Sequence, residues 1–363
     1  MLAVVLVGGE GTRLRPLTYT TPKPLLPICN EPFLERQIRW LAAHGVDEVV
    51  LSMGYLPDAF QARFPDDRYG DVKIRYAVEP EPLGTGGAIR FAADGVDERF
   101  LVCNGDVLTD LDLRLLVKLH EDNGAEATIS LTRVDDPSRF GVVPTTDEGR
   151  VLAFVEKPPP GKAPTDWINA GTYVLEPSML DRIPAGVTAS VEREIFPRTL
   201  ESGGALYALQ SDAFWLDIGV PRQYLDAQLY VLRGRLGRPP VADAVEREPG
   251  IWVMGEVAVD DDAVLEAPVL LGDGCAVAAG SRLQGAVLGP GCRVGPGAEV
   301  TRSVLLDGVQ LDERTGVVDS IVGSGAHLRT GATLSEVTVV GAAAVVDAGT
   351  SMSGARIDPP GGP

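Results

Sequence analysis

The chain has 363 residues, 45% of them hydrophobic, and a formal net charge of −19 at pH 7. That length suggests two domains, each able to bury its own core. The acidic balance excludes a basic footprint for nucleic acid or anionic membrane, so neither is expected as a partner, and an anionic substrate would need local cations and a metal to offset the field. No apolar run reaches the roughly 18 residues of a membrane span, and the N-terminus lacks a basic leader with a small-residue cleavage site. A soluble protein without a targeting segment is expected. Cys29, Cys103, Cys275 and Cys292 are scattered without metal-ligand spacing, which fits a reducing cytoplasm.

The chain opens with a short apolar run, Leu2 to Val7, that reads as a central parallel strand buried on both faces. Gly8, Gly9 and Gly11 follow at once, with Thr12, Arg13 and Arg15. Glycines there let backbone N–H groups approach an anion, and the arginines add fixed positive charge, so the loop has the physics of a polyphosphate cradle. It is neither a Walker loop nor a GxGxxG fingerprint. Lys23 stands between Pro22 and Pro24, which hold it in an extended segment.

From Met1 to about Gly234, apolar runs alternate with helical patterns, the rhythm of an α/β domain with a mainly parallel sheet. Phe33 to His44 has helical spacing. Strands are expected at Glu48 to Met53, Lys73 to Val78, Phe100 to Cys103, Ala127 to Val134, Arg150 to Val155 and Gly171 to Leu175, with a closing helix from Pro221 to Leu232. Glu79 follows the strand Lys73 to Val78, and the run Leu83-Gly84-Thr85-Gly86-Gly87 after it opens a helix. Ligands of open α/β sheets bind beyond the carboxyl ends of strands, and Asp106 and Asp217 each follow a predicted strand there. Neither has an obvious basic partner in sequence. A shared divalent cation such as Mg²⁺, which takes one or two carboxylates plus substrate phosphates, is a sensible partner for both; a turn or cap role for each is the alternative. Glu156-Lys157-Pro158 and Asn169-Ala170-Gly171 flank further strands. His44, His120 and His327 read as surface or helix residues without a role.

Residues 235–250 are rich in Arg, Pro and Glu without a period and read as a linker. Beyond them, aliphatic residues recur every six positions in groups of three: Val253, Val259, Leu265; Leu271, Val277, Leu283; Leu288, Val294, Val300; Leu305, Leu311, Val317; Val322, Leu328, Leu334; and Val340, Val346, Met352. One inward aliphatic per side and small residues at the corners describe a triangular coil, and stacked coils bury a core that no single coil could. The expected organisation is residues 1–234, a linker over 235–250, coils over 251–356 and a disordered tail over 357–363.

The stretch from Gly8 to Leu17, with Pro22-Lys23-Pro24-Leu25-Leu26-Pro27, resembles the signature of the sugar-1-phosphate nucleotidyltransferases, or NDP-sugar pyrophosphorylases. The resemblance runs through most of the chain and is greatest to bacterial mannose-1-phosphate guanylyltransferases. It implies an α/β fold with a Rossmann-like, mainly parallel sheet. The coils resemble the left-handed parallel β-helix of hexapeptide-repeat proteins, and the handedness comes from that resemblance. Through the family, Arg13 is expected to face the leaving pyrophosphate, Lys23 to contact nucleotide phosphate oxygens, Glu156 and Asn169 to bond sugar hydroxyls beside Gly171, and Lys157 to meet the sugar phosphate. In relatives using dTTP or UTP, a Gln stands five residues ahead of the glycine matching Gly84; here that residue is Glu79. A carboxylate only accepts, which suits the paired N–H donors of guanine and not a pyrimidine imide.

The implied reaction joins GTP and mannose 1-phosphate with release of pyrophosphate. Other sugars stay open, namely glucose 1-phosphate or a carbocyclic analogue such as valienol 1-phosphate. So do thymidylyl or uridylyl transfer and a non-catalytic paralogue that only binds nucleotide sugars. An acyltransferase activity on the coils is disfavoured, since only His327 lies in them and no long loop interrupts them; a regulatory role or homo-oligomerisation through the β-helix is expected instead.

Overall fold

The computed structural model describes residues 1–362. The chain forms two compact units: Met1–Gly9 with Leu34–Asp217, and Glu10–Phe33 with the chain from Ile218 onward. Among the described residues no helix is long and apolar enough to cross a membrane.

The first unit is built on four parallel strands, β1 (Leu2–Leu6), β2 (Glu48–Met53), β3 (Val72–Val78) and β4 (Phe100–Asn104), in the order β3-β2-β1-β4. Ala3, Val4 and Val5 are fully buried, as a strand covered on both faces requires. In the helix α1 (Phe33–Ala43), Leu34, Ile38 and Leu41 form one buried stripe at helical spacing, and α2 (Gly84–Ala92) packs on β1 and β2. A short ladder joins β5 (Val107–Thr109) to a later segment, and the helix α3 (Leu113–Asp122) follows. Next come β6 (Ala127–Arg133), β7 (Trp167–Leu175) and β8 (Leu206–Gln210). β7 runs antiparallel between β4 and β6, and its register with β6 shifts between Asn169 and Tyr173. The partner of β5 is β9 (Trp215–Asp217).

The apolar run expected as a strand at Arg150 to Val155 departs from that reading. Only Val155–Glu156 is a strand, and Arg150 and Val151 make isolated bridges. A turn closed by Thr146 and Gly149 brings the chain in, and the Leu152 side chain points to solvent while its N–H donates to the Pro144 carbonyl at 2.9 Å.

The second unit is a parallel β-helix, left-handed like the hexapeptide-repeat proteins it resembles. Its three faces pair in the register the sequence period demands. Val253, Leu271, Leu288, Leu305, Val322 and Val340 stack along one face. Val259, Val277, Val294, Leu311, Leu328 and Val346 stack along the second, and Leu265, Leu283, Val300, Val317, Leu334 and Met352 along the third. All of them belong to one apolar core. Coils stack so closely that a Cβ on Gly289 would lie 2.6 Å from the Asp307 nitrogen. Ile357, placed in the tail by the sequence reading, pairs with Val340 in the last coil; Pro363 lies outside the described residues.

Residues 10–33 and the helix α4 (Pro221–Leu232) belong to this second unit, whereas their composition groups them with the first domain. The reason is a tight turn at Cys29 and Asn30, both at positive φ. Gln228 donates to the Pro27 carbonyl at 2.7 Å and accepts from the Cys29 N–H at 2.6 Å, and Asn30 donates to the Leu288 carbonyl of the β-helix wall at 2.8 Å. Such polar bonds between distant segments leave no periodic trace. The end of the segment expected as a linker, Val245–Glu248, is likewise a strand, folded back on Ile251–Val253.

His120 on α3 is fully buried, with Nδ1 at 2.9 Å from Thr128 Oγ1 and Nε2 at 3.0 Å from Glu176 Oε1. Burial lowers its pKa, against the opposing pull of Glu176, with Arg99 and Glu121 also near. A histidine lowered in the folded state gives its full stabilisation above the unfolded value of about 6.5 and loses it as pH falls from there toward the folded value. The melting temperature is therefore expected to drop more between pH 7.5 and 5.5 in the parent protein than in His120→Gln. Equal drops would assign the dependence elsewhere.

Candidate active site

The strand order β3-β2-β1-β4 reverses at β1, so the crevice beyond the carboxyl ends of β1 and β4 is the position where open α/β sheets take ligands. The two exits meet there. The Gly105 N–H donates to the Leu6 carbonyl at 2.9 Å, and a Cβ on Gly105 would lie 2.6 Å from that oxygen and 2.7 Å from Val7 Cγ1. Gly105 is a requirement the sequence reading did not single out. Gly8 stands at the same rim, where a Cβ would meet the Gly54 nitrogen at 3.3 Å and Glu79 Oε1 at 3.5 Å; Gly9 opens onto free space.

Asp106 follows Gly105, and the β5–β9 ladder sets Asp217 opposite Val107, the next residue after Asp106. Two carboxylates far apart in sequence thereby share one end of one ladder. Both are half-buried. No group of three or more His, Cys, Asp or Glu able to hold an ion by itself occurs among the described residues. The donor set fits a hard divalent ion that draws its remaining oxygens from substrate phosphate and water. Gly171, at φ 76, closes over the residue that leads into Asp106: a Cβ there would lie 2.5 Å from Asn104 Nδ2. The register shift in β7 gives room for this contact, a common use of a bulge beside a site.

Glu79 leaves β3 and turns back. Its Oε1 accepts from Ser52 Oγ at 3.0 Å and its Oε2 from the Leu83 N–H at 3.0 Å, so the carboxylate is fixed at the mouth of the second glycine-rich loop. Each oxygen keeps a further lone pair for an incoming donor. The loop is clamped from outside. Gly86 donates to the Ala189 carbonyl at 2.8 Å, and a Cβ on Gly84 would lie 2.7 Å from the same oxygen.

On the third side, Asn169 Oδ1 accepts from the Gly171 N–H at 3.0 Å while its Nδ2 donates to Tyr173 Oη at 2.8 Å. Glu156 and Lys157 stand together at the end of their short strand, with Lys157 Nζ at 3.6 Å from Glu156 Oε1. Two residues absent from the sequence reading join them. Glu192 accepts from Thr85 Oγ1 at 2.7 Å and from Ser190 Oγ at 2.8 Å, and Arg193 Nη2 lies 3.2 Å from Glu156 Oε1. Both sit on the π-helical turn Val191–Ile195, a geometry enriched at functional sites. The charged run Glu192-Arg193-Glu194 between apolar neighbours was the available signal.

The remaining residues belong to the second unit. Gly11, at φ 62, opens a short helical turn at Thr12, and a Cβ on it would meet Thr18 Cγ2 at 3.0 Å and Lys23 Cβ at 3.1 Å. The loop glycine and the lysine of the Pro-Lys-Pro segment are thus packed together. Lys23 is buried and Arg13 is exposed. Arg15 pairs with Glu10 at 2.9 Å and lies over the Tyr19 ring, so its charge is answered inside the loop.

Residues 2–234 match the family model described as nucleotidyl transferase, and residues 285–360 match that of the GMPPB C-terminal domain. A mannose-1-phosphate guanylyltransferase of Mycobacterium tuberculosis is 42% identical over 288 residues, covering 78% of this chain and 79% of that protein. Mannose-1-phosphate guanylyltransferase 1 of Arabidopsis thaliana is 40% identical over 295 residues, covering 78% and 80%. Among solved structures, HddC from Yersinia pseudotuberculosis complexed with GMP-PN superposes with a TM-score of 0.55 at 33% identity, covering 62% of this chain and 97% of that one.

Gly171→Ala tests the bulge. Strain at positive φ and displacement of Asn104 should cost about 1–3 kcal/mol in urea unfolding. Gly161→Ala, also at positive φ but facing open space, should cost less, and equal losses would deny the packing role. On the span of the first match and the identity of these relatives, the chain belongs to the nucleotidyl transferase family.

Proposed function

We propose that the protein transfers GMP from GTP to a hexose 1-phosphate, mannose 1-phosphate foremost, releasing pyrophosphate and forming a GDP-sugar. The observation that carries this reading is the carboxylate pair Asp106 and Asp217 at the β1/β4 crevice, beside a glycine-lined exit. The naming of the relatives supports the sugar and the nucleotide. In the reaction an oxygen of the sugar phosphate attacks the α-phosphorus in line, the bond from that phosphorus to the bridging oxygen breaks, and pyrophosphate leaves with the electron pair. The nucleophile is already an anion at neutral pH, so no general base is needed and no histidine is called for.

The protein's part is to position two polyanions and offset their repulsion. Backbone amides from Gly8, Gly9, Gly11 and Thr12 hold phosphates in register. Arg13 faces the departing pyrophosphate, and Lys23 the nucleotide phosphates. Lys157 meets the sugar phosphate, while Glu156 and Asn169 bracket sugar hydroxyls near Gly171. Mg²⁺ on Asp106 and Asp217 would supply charge neutralisation at the phosphates. Glu79 accepts from the N1–H and N2–H₂ of guanine, the base being seated beside Gly84. We place the reaction in the cytoplasm.

The deciding experiment measures pyrophosphate release from each of four nucleoside triphosphates against mannose, glucose and cyclitol 1-phosphates, with and without Mg²⁺. GTP with mannose 1-phosphate should give the highest kcat/KM. Turnover with another pair relocates the substrate, and none with any pair favours a regulatory binder. Asp106→Asn and Asp217→Asn should each cut turnover by roughly a thousandfold with circular dichroism unchanged. Glu79→Gln exchanges an acceptor pair for a donor and an acceptor, so it should lower kcat/KM for GTP by about tenfold to a hundredfold and raise that for UTP. Unaltered nucleotide preference would remove Glu79 from base recognition.

A further inference from the structure

One oxygen, Glu156 Oε1, faces two cations: Arg193 Nη2 at 3.2 Å and Lys157 Nζ at 3.6 Å. Both cationic side chains are more than half exposed, and such solvent-facing pairs are cheaply exchanged for a stronger anion. The backbone beneath Arg193 is, by contrast, firmly held. Its N–H donates to Ser190 Oγ at 3.2 Å, and the preceding residue, Glu192, is bonded to Thr85 and Ser190 through Oε2 and to Tyr173 through Oε1. The π-helical turn therefore presents a solvent-exposed guanidinium from a fixed base, beside the lysine proposed for the sugar phosphate.

We infer that Arg193 is a second binding residue for the phosphate of the sugar 1-phosphate, an inference that rests on the reaction proposed above. Two cations that converge on one carboxylate oxygen are spaced to grip one phosphate group. A guanidinium forks two phosphate oxygens, which the Lys157 ammonium, a point charge, does not. When the phosphate arrives, Arg193 exchanges Glu156 for it, and Glu156 is released to accept hydrogen bonds from the sugar. The ion pair seen in the structure is then the resting partner of both groups. Because Glu192 and Arg193 are consecutive, the turn that braces the second glycine-rich loop through Thr85 also sets the sugar phosphate.

The test compares the parent, Arg193→Gln and Arg193→Lys in steady state, varying mannose 1-phosphate at saturating Mg²⁺-GTP and then GTP at saturating sugar phosphate. Arg193→Gln should raise KM for the sugar phosphate roughly tenfold to a hundredfold. KM for GTP and the melting temperature should stay unchanged. Arg193→Lys should recover part of the loss. An active parent whose sugar-phosphate KM is unmoved in Arg193→Gln overturns the role of Arg193 alone. A rise in both KM values with a lower melting temperature assigns Arg193 a structural part and also overturns it. A parent inactive with every hexose 1-phosphate overturns the proposed reaction and this inference together.

Discussion

The close approach of two chain exits organises the first unit. Gly105, leaving β4, donates to the carbonyl of Leu6 at the end of β1, and no side chain fits between them. That contact fixes where Asp106 begins, and the ladder that starts at Val107 then fixes Asp217. A parallel sheet needs its neighbouring strands in register for buried backbone groups to be satisfied, so the crevice inherits the rigidity of the sheet. Gly171 adds a second close contact on Asn104, from a strand that runs the other way.

The electrostatic problem is the reverse of the one posed by nucleic-acid binding. A chain of net charge −19 must gather two further polyanions, which bulk charge opposes. The answer is local. Arg15 is matched by Glu10 within its loop, leaving Arg13 exposed nearby, and Lys157 and Arg193 are parked on a single carboxylate. Cations held in this way are poised without being spent on strong buried pairs, which would have to be broken on binding. Glu79 shows the complementary device: an anion anchored by one hydroxyl and one backbone N–H, so that its orientation is set by the protein itself.

How much of this was legible depended on whether the information was periodic. The β-helix was almost fully readable, because an inward aliphatic every sixth residue is a one-dimensional signal and each pair it implies, such as Leu288 with Leu305, is a neighbour in the ladder. The parallel strands β1, β2 and β4 were readable from runs of consecutive apolar residues, whereas Lys73 and Arg75 interrupt β3. Contacts between distant polar side chains were not. Gln228 capturing Pro27 and Cys29 moved a helix and a loop into the second unit, and nothing in their composition announces it. At Arg150 to Val155 an apolar run makes only isolated bridges, Arg150 with Tyr207 and Val151 with Thr145, so apolar composition alone does not set a continuous ladder. Glycine-rich motifs pointed to the crevice, but Glu192 and Arg193 lie on a turn whose unusual winding is set by its side-chain bonds to Thr85 and Ser190.

The central claim is that Asp106 and Asp217 together seat a divalent ion on the phosphates at the β1/β4 crevice. Its most direct measurement is an anomalous difference map from crystals grown with Mn²⁺ and a non-reacting GTP analogue. The account predicts one peak bridging both carboxylates and a phosphate oxygen of the analogue. A peak elsewhere, with Asp106 and Asp217 bare while the analogue is bound, would contradict it.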